Sequence, residues 1–148
     1  MSDHRRFHHH RSHRRHNHHI RVALVIGNVA VELIPNGAIH MAFTLDAGKT
    51  ENLAIEYLDA NGAPMLVTPT PDSPPAWAQT NPAADTLTPA ADGNTATSTG
   101  LPAGGTDTIQ LTVIVGGHTF QATVDATINP AVAAQVLTSV GIVATAAP

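Results

Sequence analysis

The stretch Thr108-Ile109-Gln110-Leu111-Thr112-Val113-Ile114-Val115-Gly116-Gly117-His118-Thr119-Phe120-Gln121-Ala122-Thr123-Val124-Asp125-Ala126-Thr127-Ile128 reads as two alternating runs around a glycine pair. In the first run Ile109, Leu111, Val113 and Val115 fall on one face and Thr108, Gln110 and Thr112 on the other, the period of two of a half-buried strand. In the second, Phe120, Ala122, Val124, Ala126 and Ile128 oppose Thr119, Gln121, Thr123, Asp125 and Thr127. Gly116-Gly117 supplies the positive backbone angles of a two-residue turn, so the stretch is predicted to be a β-hairpin.

Upstream, the same signals recur. Ile20 to Ile26 and Val29 to Ile34 are rich in Val, Ile and Leu and read as strands. Pro35-Asn36-Gly37 is a turn triplet, and Ile39, Met41, Phe43 and Leu45 then alternate with His40, Ala42, Thr44 and Asp46, which suggests a hairpin across the triplet. Leu53, Ile55 and Tyr57 alternate with Ala54 and Glu56, and Asp59-Ala60-Asn61-Gly62 turns the chain toward a further run at Met65 to Val67. Residues 68 to 76 contain four prolines, which confines them to a loop or a sheet edge because proline donates nothing to a ladder. Trp77, the single tryptophan, is expected in the core between two sheets. Short strands are predicted near Asp85 to Thr88 and Thr95 to Ser98. Beyond Ile128, Ala131 to Val136 suits one helical turn and Val140 to Ala144 a closing strand.

About nine short strands at spacings of roughly 8 to 12 residues, with no amphipathic helix, predict an all-β antiparallel sandwich. Three segments follow. Residues 1–19 form an arm, residues 20–50 are N-terminal strands that either extend the sandwich or pair with another subunit, and residues 51–148 are the sandwich proper.

Charge divides the chain in two. Residues 1 to 21 carry six arginines against one acid, a balance of +5, whereas residues 22 to 148 carry Lys49 against ten acids, a balance of -9. The arm MSDHRRFHHHRSHRRHNHH buries too little apolar surface to offset its ordering entropy and is expected to be disordered. There is no cysteine, which removes disulfides and thiolate metal sites. No apolar run approaches the ~18 residues of a membrane-spanning helix. Ile20 to Val31 could serve as the apolar part of a signal peptide behind the cationic arm, but Gly27-Asn28 interrupts it, Glu32 follows, and alternation continues, so strands are expected there and no clear export signal is read.

From Leu53 to Ile128 the order of features resembles a bacterial immunoglobulin-like domain of the group 2 type. The matching pieces are Ala54-Ile55-Glu56-Tyr57-Leu58 with the turn Asp59-Ala60-Asn61-Gly62-Ala63-Pro64, then the Trp77 strand with Asn81-Pro82, then Pro89-Ala90-Ala91-Asp92-Gly93-Asn94-Thr95-Ala96, then Gly105-Thr106-Asp107-Thr108-Ile109 and the hairpin. The resemblance implies an immunoglobulin-like sandwich without catalytic residues, of a kind found in surface adhesins and in phage virions and tails.

The residues themselves point away from catalysis. The body offers His40 and His118, with Ser73, Ser98 and Ser139, in no arrangement of nucleophile and base, its acids are scattered singly, and its glycine pairs are turns rather than phosphate cradles. The expectation is therefore a structural or binding protein, not an enzyme, with no cofactor. It is a virion accessory protein of decoration or tail type or, alternatively, a cell-surface adhesin domain. Its partners would be other virion or surface proteins and further copies of itself, with no membrane contact. The arm carries the remaining chemistry. His8, His9, His10, His13, His16, His18 and His19 could gather zinc, nickel or copper, adventitiously or as the working part of a metal-binding protein. Arg5, Arg6, Arg11, Arg14 and Arg15 could anchor on phosphate or an acidic protein surface, with nucleic acid disfavoured by the acidic body. A solvated tail or an expression tag is the plainer reading of the same residues, but the irregular spacing and interleaved arginines do not look like a plain hexahistidine tag, and the arm is read as native.

Overall fold

The computed structural model describes residues 20–133, and these form nine strands: β1 (Arg21–Ile26), β2 (Val29–Leu33), β3 (Ala38–Asp46), β4 (Thr50–Leu58), β5 (Ser73–Gln79), β6 (Asp85–Pro89), β7 (Thr95–Gly100), β8 (Gly105–Val115) and β9 (His118–Asn129). The predicted arm, the strand Val140 to Ala144 and residues 134–136 of the predicted helical turn lie outside the described residues, while Ala131 to Ala133 are not helical.

The deciding hairpin forms as its alternation requires. β8 and β9 pair antiparallel from Gly105↔Ile128 to Val115↔His118, and both turn glycines take positive φ, 58° at Gly116 and 75° at Gly117. Ile109, Leu111, Val113, Val115, Phe120, Ala122, Val124, Ala126 and Ile128 are all buried. This hairpin is the centre of a four-stranded sheet ordered β3-β9-β8-β5. A five-stranded sheet ordered β2-β1-β4-β7-β6 covers it, contributing Val22, Leu24, Leu33, Leu53 and Tyr57 to one shared core. Residues 20 to 50 belong to the same two sheets as the rest.

The architecture is an immunoglobulin-like β-sandwich. Such folds place strands A, B, E and D in one sheet and C, F and G in the other. Here β1-β4-β7-β6 reproduces the first order and β5-β8-β9 the second, so β2 and β3 are additions at the A and G edges.

Several expectations are corrected. β2 and β3 do not form a hairpin: β2 pairs with β1 in one sheet, and β3 pairs with β9 in the other. The reason lies in the triplet between them. Asn36 takes φ of 57° and donates its N–H to the Thr119 carbonyl at 2.8 Å, and Pro35 bridges to Phe120, so the chain is already tied to β9 when β3 begins. The β3–β9 pair is parallel, which makes the second sheet mixed rather than wholly antiparallel. Met65 to Val67 is no strand. Met65 donates to the Tyr57 carbonyl along the half of β4 that β7 does not reach, after which Leu66 and Val67 project into solvent. Trp77 is only partly buried, because β5 is an edge strand. Pro74 and Pro75 sit in that edge, where the pairing with β8 is irregular between Ser73 and Ala76.

Candidate functional site

The two lateral sides of the sandwich are finished differently. On one side β5 and β6 are stitched together by side chains. Gln79 Nε2 donates to the Asp85 carbonyl at 3.2 Å and its Oε1 accepts the Leu87 N–H at 3.1 Å, so one amide spans both sheets. Trp77 Nε1 donates to the Gly93 carbonyl at 2.7 Å, tying β5 to the β6–β7 turn.

On the other side β2 and β3 are both edge strands, in different sheets, with no comparable side-chain bond between them among the described residues. An open groove of about 370 Å³ runs between them, lined by Ile26, Val29, Val31, Met41, Phe43 and Glu51. Val29 is 58% exposed and Ile34 57%, which is unusual for β-branched residues on and just beyond an edge strand. An ion pair guards the β2 edge. The Arg21 guanidinium donates to both carboxylate oxygens of Glu32 across β1 and β2. That bond holds the Glu32 carboxyl below the usual carboxylate range.

The residues singled out for chemistry are not brought together. His8, His9, His10, His13, His16, His18, His19, Arg5, Arg6, Arg11, Arg14 and Arg15 lie outside the described residues. His40 is exposed on β3 with its Nδ1 3.5 Å from Asp125 on β9, while His118 is exposed beside the β8–β9 turn. Among the described residues there is no group of three His, Cys, Asp or Glu side chains placed to hold a metal ion, and no helix long and apolar enough to cross a membrane.

One constellation escaped the sequence reading. The singly scattered acids include two, Asp85 at the start of β6 and Asp107 on β8, that meet inside the sandwich, buried to 0% and 2% exposure. Asp107 Oδ1 accepts the Thr80 N–H at 3.0 Å, the Thr80 hydroxyl at 3.0 Å and the Asn81 N–H at 2.5 Å, which fixes the corner between β5 and β6. Asp85 Oδ2 accepts the Ser98 hydroxyl at 2.5 Å. The other two oxygens, Asp85 Oδ1 and Asp107 Oδ2, have no donor among the described residues. Burial pushes the Asp85 carboxyl above its ordinary range, Ser98 opposes this, and the neighbouring Asp107 adds to it. Burial also pushes Asp107 upward, but the Asn81 N–H, the Asp85 carboxyl and the Thr80 hydroxyl outweigh it and hold the group low. Local alternation carries a hint of both: each acid stands at an inward-facing position of its strand, where an apolar residue is expected. Neither carboxyl reaches solvent, so the pair is closed to any substrate.

No protein-family model matches the chain, and no curated protein matches it. Among solved structures, domains 4 and 5 of the S-layer protein SbsC are similar over 68% of this chain and 58% of that one, with 13% sequence identity and a TM-score of 0.45. The chain thus spans less than two thirds of that structure.

Proposed function

We propose that the chain is a non-enzymatic structural and binding module, an immunoglobulin-like domain of the group 2 type displayed on a larger particle, a virion or a bacterial surface, as a decoration, tail or adhesive component. It acts by assembly, through its own edges, with other particle proteins and with further copies of itself. The observation that carries this reading is the open side of the sandwich: β2 and β3, edge strands with no further partner among the described residues, flank an apolar groove, while the opposite side is sealed by Trp77 and Gln79. Edge backbone donors and acceptors beside exposed Val29 and Ile34, unpaired among the described residues, are a template for another strand. The cationic arm on an acidic body supports an anchoring role for the first 19 residues, whose five arginines suit an acidic protein surface.

Size-exclusion chromatography with light scattering tests it, on the full chain, on a Val29→Lys, Val31→Lys variant, and on a chain lacking residues 1–19, each with and without zinc. The expected result is an oligomer that the lysines dissociate and zinc leaves unchanged. A monomer throughout overturns the reading. An oligomer that appears only with zinc and only in the full chain moves the function to the histidines of the arm.

A further inference from the structure

We propose that Asp85 and Asp107 hold one proton between them and form a pH-sensitive clamp joining the two sheets of the sandwich. Asp85 belongs to β6 in the five-stranded sheet and Asp107 to β8 in the four-stranded sheet, so whatever bonds them crosses the core. The two carboxyls act directly on each other, and each presents one buried oxygen without a donor among the described residues. Two ionised carboxylates here would leave both oxygens unsatisfied and set two like charges side by side in a buried site. One proton removes both faults. It makes a hydroxyl at Asp85 Oδ1 that donates to Asp107 Oδ2.

The donors around the pair decide where the proton sits. Asp107 Oδ1 already takes two N–H groups and a hydroxyl, which stabilise a negative charge, whereas Asp85 takes only the Ser98 hydroxyl. Asp85 is therefore the acid and Asp107 the carboxylate. The groups that face them are Ser98 from β7, Thr80 and Asn81 from the corner after β5, and Thr108 from β8, all uncharged. The charged group acting on each carboxyl is the other carboxyl. No third acid, histidine or thiol among the described residues joins them into a metal-binding set.

The pH dependence has two limbs. Asp85 has its folded value raised, so its contribution is full below the ordinary carboxylate value of about 4 and is lost as pH rises through the folded value. Asp107 has its folded value lowered, so its contribution is present above about 4 and is lost as pH falls through the folded value. The clamp is tightest near pH ~4 and loosens on either side, changing the folding equilibrium by up to about tenfold per pH unit on each limb.

Two measurements on the full chain test it. In a carbon-13 carboxyl titration of the wild-type protein, one buried aspartate is expected to stay protonated well above the ordinary range and the other to stay ionised well below it. Two buried aspartates that both finish titrating in the ordinary range overturn the proposal. In urea unfolding at a series of pH values, Asp85→Asn should keep a donor toward Asp107 and flatten the alkaline limb, while Asp107→Asn should lower stability more than Asp85→Asn near pH ~4 and flatten the acid limb. An alkaline limb unchanged in Asp85→Asn overturns the proposal. So does a rise in wild-type melting temperature on adding calcium at neutral pH that Asp85→Asn abolishes, because the occupant would then be a cation.

Discussion

Gly93 shows how much one residue can carry at an edge. It has φ of 72°, and a methyl group on its Cα would stand 2.8 Å from the Pro75 carbonyl oxygen and 3.0 Å from Pro75 Cδ. Neither contact can yield, since one is backbone and the other a proline ring against the sheet. Gly93→Ala should therefore cost both left-handed strain and displacement of β5, about 2 to 4 kcal/mol in urea unfolding. Gly117→Ala is the control: φ is 75° but nothing lies within 4 Å, so strain alone applies and about 1 kcal/mol is expected. The same turn accepts the Trp77 indole N–H. Trp77→Phe keeps a ring against the core and removes that bond, at a cost of about 1 to 2 kcal/mol in the same assay. Both the Trp77 strand and the Asp-Gly turn are legible as local patterns, but the bond between them spans 16 residues and two sheets, which no local pattern encodes.

Among the elements, the contrast between β4 and β2 sets the scale of effects. β4 is central in its sheet, and Leu53 is fully buried, so Leu53→Ala should cost about 3 to 5 kcal/mol by lost transfer energy and cavity formation. β2 is an edge, and the double lysine substitution at Val29 and Val31 should change unfolding by less than about 1 kcal/mol while abolishing any strand-mediated association. The Arg21–Glu32 pair at that edge is exposed and acts as a charge guard more than a support. Glu32 has its folded value lowered, so what it contributes is present above about pH 4 and fades as pH falls below it. Glu32→Gln should leave neutral-pH unfolding unchanged within error and increase association. β1 and β2 are readable from their Val, Ile and Leu content, and β3 from alternation. Their partners are not, because Pro35-Asn36-Gly37 suits a hairpin as well as a crossover and only the Thr119 carbonyl 83 residues on decides between them.

Across the whole molecule, one side is closed and the other open. The closed side combines the Gln79 amide, the Trp77 indole and the proton-sharing clamp proposed for Asp85 and Asp107; the open side has a groove and two edges that are free among the described residues. Such asymmetry fits the proposed function, in which one side holds the sheets together and the other serves assembly. Stability measured over pH should accordingly depend on residues of the closed side, and association on residues of the open side, with little coupling between substitutions so far apart.

The chain's own order of residues settles that it is all-β, where most strands begin and end, and which side chains turn inward, because alternation and turn chemistry act over a few neighbouring residues. It also shows the division between a cationic arm and an acidic body, which is a matter of counting. Tertiary structure alone decides that β3 runs parallel to β9, that Trp77 lies at a seam rather than in the core, and that Asp85 meets Asp107. Each of these joins residues far apart in the chain, and the physical forces responsible, burial of apolar faces on one another and satisfaction of buried polar groups, act only once the two sheets have closed.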